Sequence, residues 1–282
     1  MLLFLWACSM SSPSTLVDEL RVMAIQSIPA EVSPLDPPAK LQFLIANPKK
    51  EEVEVLYWTC TNFGEGCLEK DFYGQDLRSW PQMFDLQEEL STHDFMVPPA
   101  LAGIISELPE DVIPFEGTFL WVFACPKGRC SIFSEIAQGD IPVEQLASPT
   151  EWLNDYDFGE VSLAFRSLSI STRPQEERIQ NPLLEANFSD EPSVSLEESL
   201  LLSFSYDLQS QPNEDSLIYG YTTVGGFSET DRTQSQLQNP TGTLDIEWFG
   251  PQEASRGNMY VILDNGVGGT SIWTSSCAAE DL

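Results

Sequence analysis

Apolar and polar residues alternate along this chain in short runs. Examples are 41–46 (LQFLIA), 55–61 (VLYWTCT), 161–170 (VSLAFRSLSI), 200–206 (LLLSFSY) and 257–264 (GNMYVILD). A pleated strand turns successive side chains to opposite faces, so this period predicts strands half-buried in a sheet. The runs are rich in Val, Ile, Phe, Tyr, Trp and Thr and are separated by Gly, Pro, Asn and Asp, which accept the backbone angles of turns. The clearest hairpin places the turn 264–269 (DNGVGG) between 259–263 and 270–273. One short helix is predicted over 99–108, and long amphipathic helices are not. The fold class is therefore all-β, with inward residues of paired sheets forming sandwich cores.

The pattern also repeats. Residues 41–46, 55–61, 95–98 and 117–133 recur in the same order as 200–206, 217–223, 248–251 and 257–273, with Ser131, Ile132 and Phe133 set against Ser271, Ile272 and Trp273. Repetition at this spacing predicts two copies of one fold. Between them lies a polar crossing, 171–182, in which Pro174 and Pro182 remove backbone donors and suit a stiff linker. The division is a leader and Ser-rich tether at 1–19, a sandwich at 20–172, a linker at 173–182, a sandwich at 183–275 and a tail at 276–282. The first copy is the larger because of insertions at 68–94 and 134–159. Each half is expected to fold alone and the junction to be protease-sensitive.

Charge narrows the partners. The chain carries 44 acidic against 13 basic residues, a net −31, which repels nucleic acid and anionic membrane surfaces. Salt or bound Ca²⁺ would relieve such an excess; the candidate calcium loops are 154–157 (NDYD), 213–215 (NED) and 176–177 (EE), none with EF-hand spacing. No other cofactor is implied. His93, the sole histidine, sits in the first insertion as a surface turn; a Gly-x-Ser-x-Gly elbow and a phosphate loop are lacking. The sequence thus reads as non-enzymatic. Exposed aromatics such as Trp80, Trp152 and Tyr156 leave carbohydrate or ligand binding as an alternative, and strand addition into a filament or envelope complex as another.

Six cysteines, two pairs of them close, predict disulfides and an oxidising compartment. Local bridges join Cys60 to Cys67 and Cys125 to Cys130, with Cys60 to Cys125 as the other pairing. Cys277 is left in the tail, as a free thiol, a link to another chain or an inert residue. At the N-terminus, 1–7 (MLLFLWA) runs into Cys8 and a Ser-rich stretch. Residues 5–8 (LWAC) stand where a bacterial lipobox would, with Cys8 as the lipidated residue; Trp6 is larger than usual there and no Lys or Arg precedes it, as a start assigned downstream would produce.

These pieces, together with 20–25 (LRVMAI), 29–34 (PAEVSP), Asn181-Pro182 and 260–269 (YVILDNGVGG), resemble a family of uncharacterised bacterial envelope lipoproteins with tandem immunoglobulin-like domains. The resemblance implies two immunoglobulin-like β-sandwiches on an N-terminal lipid anchor, and carries no catalytic residue. It places the protein in the cell envelope, with Ser9 compatible with the outer membrane, facing periplasm or cell surface. The function it implies is adhesion, scaffolding or subunit contact with an envelope or extracellular protein or glycan.

Overall fold

In the computed structural model, the described residues are 16–62, 67–68, 81–108, 114–130, 133, 135, 161–189, 191–227 and 235–280. Alternation becomes strands as expected. The first sandwich contains β1 (Arg21–Ile28), β2 (Glu31–Val32), β3 (Ala39–Ala46), β4 (Val53–Asn62), β5 (Cys67–Leu68), β6 (Gln82–Asp85), β7 (Leu90–Phe95), α1 (Pro99–Ser106), β8 (Phe115–Pro126) and β9 (Ser162–Ile170). The second contains β10 (Leu183–Ala186), β11 (Ser193–Ser195), β12 (Ser199–Asp207), β13 (Ser216–Thr222), β14 (Gly226–Phe227), β15 (Ser235–Gln236), β16 (Thr241–Phe249), β17 (Ser255–Asn265) and β18 (Thr270–Glu280).

Strand order repeats between the two halves. Sheet β1-β3-β7 faces sheet β2-β9-β8-β4-β5, and sheet β10-β12-β16-β14 faces sheet β11-β18-β17-β13-β15. In each half the opening strand divides between both sheets, and its second piece runs parallel to the last strand, β2 with β9 and β11 with β18. In the first half the chain makes this crossing at cis Ile28–Pro29. Two antiparallel sheets joined this way form an immunoglobulin-like sandwich.

Three expectations are corrected. Phe133 does not stand in the strand that pairs with β8, where its match to Trp273 would place it: β9 pairs with β8, as β18 pairs with β17. The Cys125–Cys130 disulfide closes the turn, Phe133 enters a helical turn, and its ring packs on Leu56, Trp58 and Phe123 outside the sheet. The stretch 68–94 is not all loop, because its end forms β6 against β4 and β7 against β3. His93 therefore lies within a strand and not in a surface turn. Residues 276–280, expected as tail, complete β18, where Cys277, Ala278 and Ala279 are buried.

Each sandwich has its own core. Leu41, Phe43, Ile45, Val55, Tyr57, Leu120 and Val122 fill the first, closed at one end by Leu101 and Ile105 of α1. Phe204, Ile246, Trp248, Met259, Val261, Leu263 and Cys277 fill the second. Among the described residues no helix is long and apolar enough to cross a membrane.

Candidate interaction site at the seam between the sandwiches

Two runs are apolar on both faces. In β3, Phe43 and Ile45 point into the first core, whereas Leu44 and Ala46 point out of it; in β17, Val261 and Leu263 point into the second core, and Tyr260 and Ile262 point out. The outward residues meet. Leu44, Ala46, Tyr260 and Ile262 form one buried cluster with Val17, flanked by Met23, Leu90, Tyr219, Tyr221 and Ile272. Val17, four residues before β1, donates its N–H to the Thr222 carbonyl at 2.8 Å, beside the parallel bridge of Leu16 with Thr222. The sandwiches are thus packed sheet against sheet, and a strand buried on both faces reads as a continuous apolar run.

Polar clamps surround this cluster. Glu89 accepts hydrogen bonds from the Tyr260 hydroxyl (2.6 Å), Asn258 Nδ2 (2.7 Å) and the Asn47 N–H (3.0 Å), so one carboxylate holds groups from both halves. Burial and this carboxylate raise the Tyr260 pKa, and the phenol stays protonated as a donor. On the other flank Arg166 of β9 donates to the Ile25 carbonyl (3.0 Å), the Gly268 carbonyl (2.6 Å) and Thr270 Oγ1, and lies 3.6 Å from Asp264 Oδ2. Its fork of fixed N–H donors suits this multiple capping. Burial lowers the Arg166 pKa while Asp264 opposes the change.

The crossing 173–182 is tied down as well. Fully buried Glu31 accepts from Ser171, from Nε and Nη2 of Arg173 and from the Ile179 N–H. Burial acts to raise its pKa, but the Arg173 bonds, the Ile179 and Ser171 donors and the Arg173 charge outweigh it and leave the pKa lowered. Asn181 bridges the halves by donating to the Ser27 carbonyl (2.8 Å) and accepting from the Thr270 N–H (3.0 Å). Asn265, fully buried, donates to the carbonyls of Gln180 (3.0 Å) and Leu208 (3.2 Å) and accepts from Gly269 (2.8 Å). Gly266 of this turn has φ +73°, and a Cβ there would lie 2.1 Å from Asn213 Oδ1. Bonds of this density make the crossing a fixed part of the seam and not a free linker.

Clefts open beside the buried cluster. One, of about 620 Å³, has a floor of Met23, Phe165, Leu217, Tyr219, Tyr221 and Ile262. Glu116, Asp215 and Asp264 stand on it with Arg166. Tyr219 has its pKa pushed up to about 12 by burial, then by Asp264, Tyr221 and Asp215. The second cleft, of about 980 Å³, surrounds Glu89 and Asn258 with Lys50, Glu51, Glu191 and Arg256.

Residues singled out from the sequence mostly lie elsewhere. Cys8, Trp80, Trp152, Tyr156 and the 154–157 loop fall outside the described residues, and so do the side chains of Cys60 and Cys67. The Cys125–Cys130 bridge is present. Cys277 is a free thiol within the second core, its pKa pushed up to about 11 by burial against hydrogen bonds with Thr222 and Gly257. His93 packs 3.9 Å from the Phe84 ring and near Phe43 and Tyr57; Nε2 is buried without a partner among the described residues, and burial lowers the pKa against Asp94. Asn213 braces its turn by accepting from the Asp215 N–H and donating to the Gly266 carbonyl. Among the described residues no group of three or more His, Cys, Asp or Glu is placed to hold a metal ion. The sequence reading missed the seam, whose signal was the unbroken apolar runs 43–46 and 259–263.

No family model matches this chain, and no curated protein matches it. Solved structures similar to it include red sea bream transglutaminase, at 8% identity and TM-score 0.27, covering 94% of this chain and 32% of that one. Trypsin-activated alpha-2-macroglobulin from Escherichia coli is similar at 8% identity and TM-score 0.28, with 93% and 18% covered. Salmonella alpha-2-macroglobulin reacted with methylamine matches at 9% identity and TM-score 0.27, with 93% and 16% covered. The chain spans about a third or less of the length of these solved chains.

Proposed function

We propose that this protein is a non-catalytic contact module of the bacterial cell envelope, held by a lipid on Cys8 and presenting its two sandwiches as one rigid block to an envelope or extracellular partner. The observation that carries this reading is the seam. A buried apolar cluster, bridging carboxylate, arginine and asparagine side chains, and a fastened crossing fix the relative placement of both halves. Surfaces held in place before binding lose less conformational entropy on association, which suits a scaffold or adhesion role. A non-catalytic role is supported by His93, whose ring is walled by Phe43, Tyr57 and Phe84. The anchor is supported by residues 5–8 and by the place where the tether enters, at Leu16 and Val17 in the seam.

The test is metabolic labelling of producing bacteria with an alkyne fatty acid, followed by membrane fractionation. Labelled protein in the membrane fraction, with both label and membrane association lost in Cys8→Ser, is the expected result. Unlabelled protein in the soluble fraction would overturn the anchored reading.

A further inference from the structure

We infer that the 620 Å³ cleft beside the seam receives a cationic, lysine- or arginine-bearing segment of a partner protein. This deepens the contact-module reading and rests on it. The cleft is formed by strands of both sandwiches and is held open by the clamps that join them, so it exists before a partner arrives. Its volume lies in the range that buries a ligand group of substantial size.

Charge decides the occupant. Three carboxylates, on Glu116, Asp215 and Asp264, line the cleft with one lining cation, Arg166, and a second guanidinium, Arg21, stands beside it over the Tyr221 ring, so the carboxylates remain in excess. Arg166 is already engaged: its donors meet the carbonyls of Ile25 and Gly268 and the Thr270 hydroxyl, and its charge faces Asp264. An anionic ligand would therefore find carboxylates and a guanidinium turned to other acceptors. A cation finds the reverse. Asp215 is exposed on the rim; its backbone N–H is held by Asn213 Oδ1, which fixes the loop that carries it.

The floor agrees with the charge. An aromatic face attracts cations through its quadrupole, and beside this cleft the Arg21 guanidinium already lies 5.7 Å from the centroid of the Tyr221 ring. Tyr219 lies two residues earlier on the same face of β13, and no guanidinium or ammonium is placed over its ring among the described residues. Its phenol makes no hydrogen bond among the described residues and stays protonated in the neighbourhood of Asp264 and Asp215. Methylene stems of lysine or arginine would cover Met23, Phe165 and Leu217 while the head group meets the carboxylates. The net charge of −31 would speed the approach of a basic partner from a distance, which is a separate effect from selection at the cleft.

The experiment must separate those two effects. Fluorescence anisotropy at 0.15 M salt would follow a labelled heptapeptide alternating lysine and leucine, with a glutamate-for-lysine peptide as counterpart. The whole chain is compared with Asp215→Asn and Tyr219→Leu in the cleft. Asp245→Asn removes the same charge from an exposed position of β16 outside it. Expected are binding of the lysine peptide alone, weakening of at least about threefold by each cleft variant, and an unchanged affinity for Asp245→Asn. Equal effects of Asp215→Asn and Asp245→Asn would overturn the proposal, since bulk charge alone would then be at work. Displacement of the peptide by neutral maltohexaose would overturn it in favour of a glycan. Asp215 is at the surface, so its variant decides the matter even where Tyr219→Leu fails to fold. The readout does not depend on Cys8: protein that stays unlabelled in producing bacteria but binds the peptide refutes the anchor alone, and labelled protein that ignores the peptide refutes the cleft alone.

Discussion

If the seam joins the sandwiches into one cooperative unit, damage on one side must open the other. Leu44 tests this, because it is fully buried, belongs to the first sandwich and contacts the second through Tyr260 and Ile262. Leu44→Ala removes a buried isobutyl group down to a methyl and leaves a cavity against a rigid sheet, a change that costs about 2–5 kcal/mol. The molecule carries its own reporter in Cys277, a free thiol fully buried in the core of the second sandwich, on a strand that does not contain Leu44. Under conditions where opening is fast compared with alkylation, a loss of 3 kcal/mol in a shared opening equilibrium would raise alkylation of Cys277 by about 10²-fold. Iodoacetamide labelling, quenched in time and read on the Cys277 peptide by mass spectrometry, provides the rate. Leu202→Ala, in the second core, is the positive control. Alkylation of Cys277 at the parent rate in Leu44→Ala, with acceleration in Leu202→Ala, would show two independent sandwiches and refute the reasoning.

Two further outcomes follow from the same contacts. Glu31→Ala leaves Arg173 partly buried without its partner and should cost about 3–5 kcal/mol; trypsin should then cut after Arg178, which resists it in the parent, and ready cleavage of the parent at the Arg178–Ile179 bond under native conditions would sink the fastened crossing. Alkali should destabilise the fold, since folded Cys277 and Tyr219 have pKa values pushed up to about 11 and about 12 from ordinary values of 9.0 and 10.0. Above pH 9 the unfolded chain has lost protons that the folded chain keeps, so the contribution of Cys277 is complete below that pH and is lost as pH climbs through the folded value; Tyr219 follows from pH 10. The urea midpoint should therefore fall between pH 8 and pH 10.5, and a flat profile would contradict the burial of both groups.

What the sequence disclosed and what it hid have the same origin. Alternation reports one buried face, so runs such as 200–206 and 217–223 disclosed strands and the repeat disclosed two sandwiches. The final match failed at Phe133, because local composition continued like a strand while the turn is closed by the Cys125–Cys130 bridge and the Phe133 ring is buried on Leu56, Trp58 and Phe123. His93 looked like a surface turn because Asp94 and Thr92 are polar; the aromatic wall of Phe43, Tyr57 and Phe84 comes from three other strands, and one-dimensional pattern does not show it. The crossing read as a stiff but protease-sensitive linker for a related reason. Its polar residues find their partners, Glu31, Ser27 and Asn265, far away in sequence. The cleft was hidden most deeply, since Phe165, Tyr219 and Asp264 become neighbours only when two separate sandwiches dock.

The placement of residues 16–20 also sets how the molecule carries load. Leu16 pairs with Thr222, in the second sandwich, and five residues on the chain is Arg21 at the start of the first. Tension from the N-terminal side is thus delivered to the seam itself, through Val17, before it reaches a strand ladder of either half. In a force trace the earliest yield would release the short stretch around Val17. The hairpins of both sandwiches would still be closed at that point, so the stretch 16–20 acts as a mechanical fuse placed between two bodies.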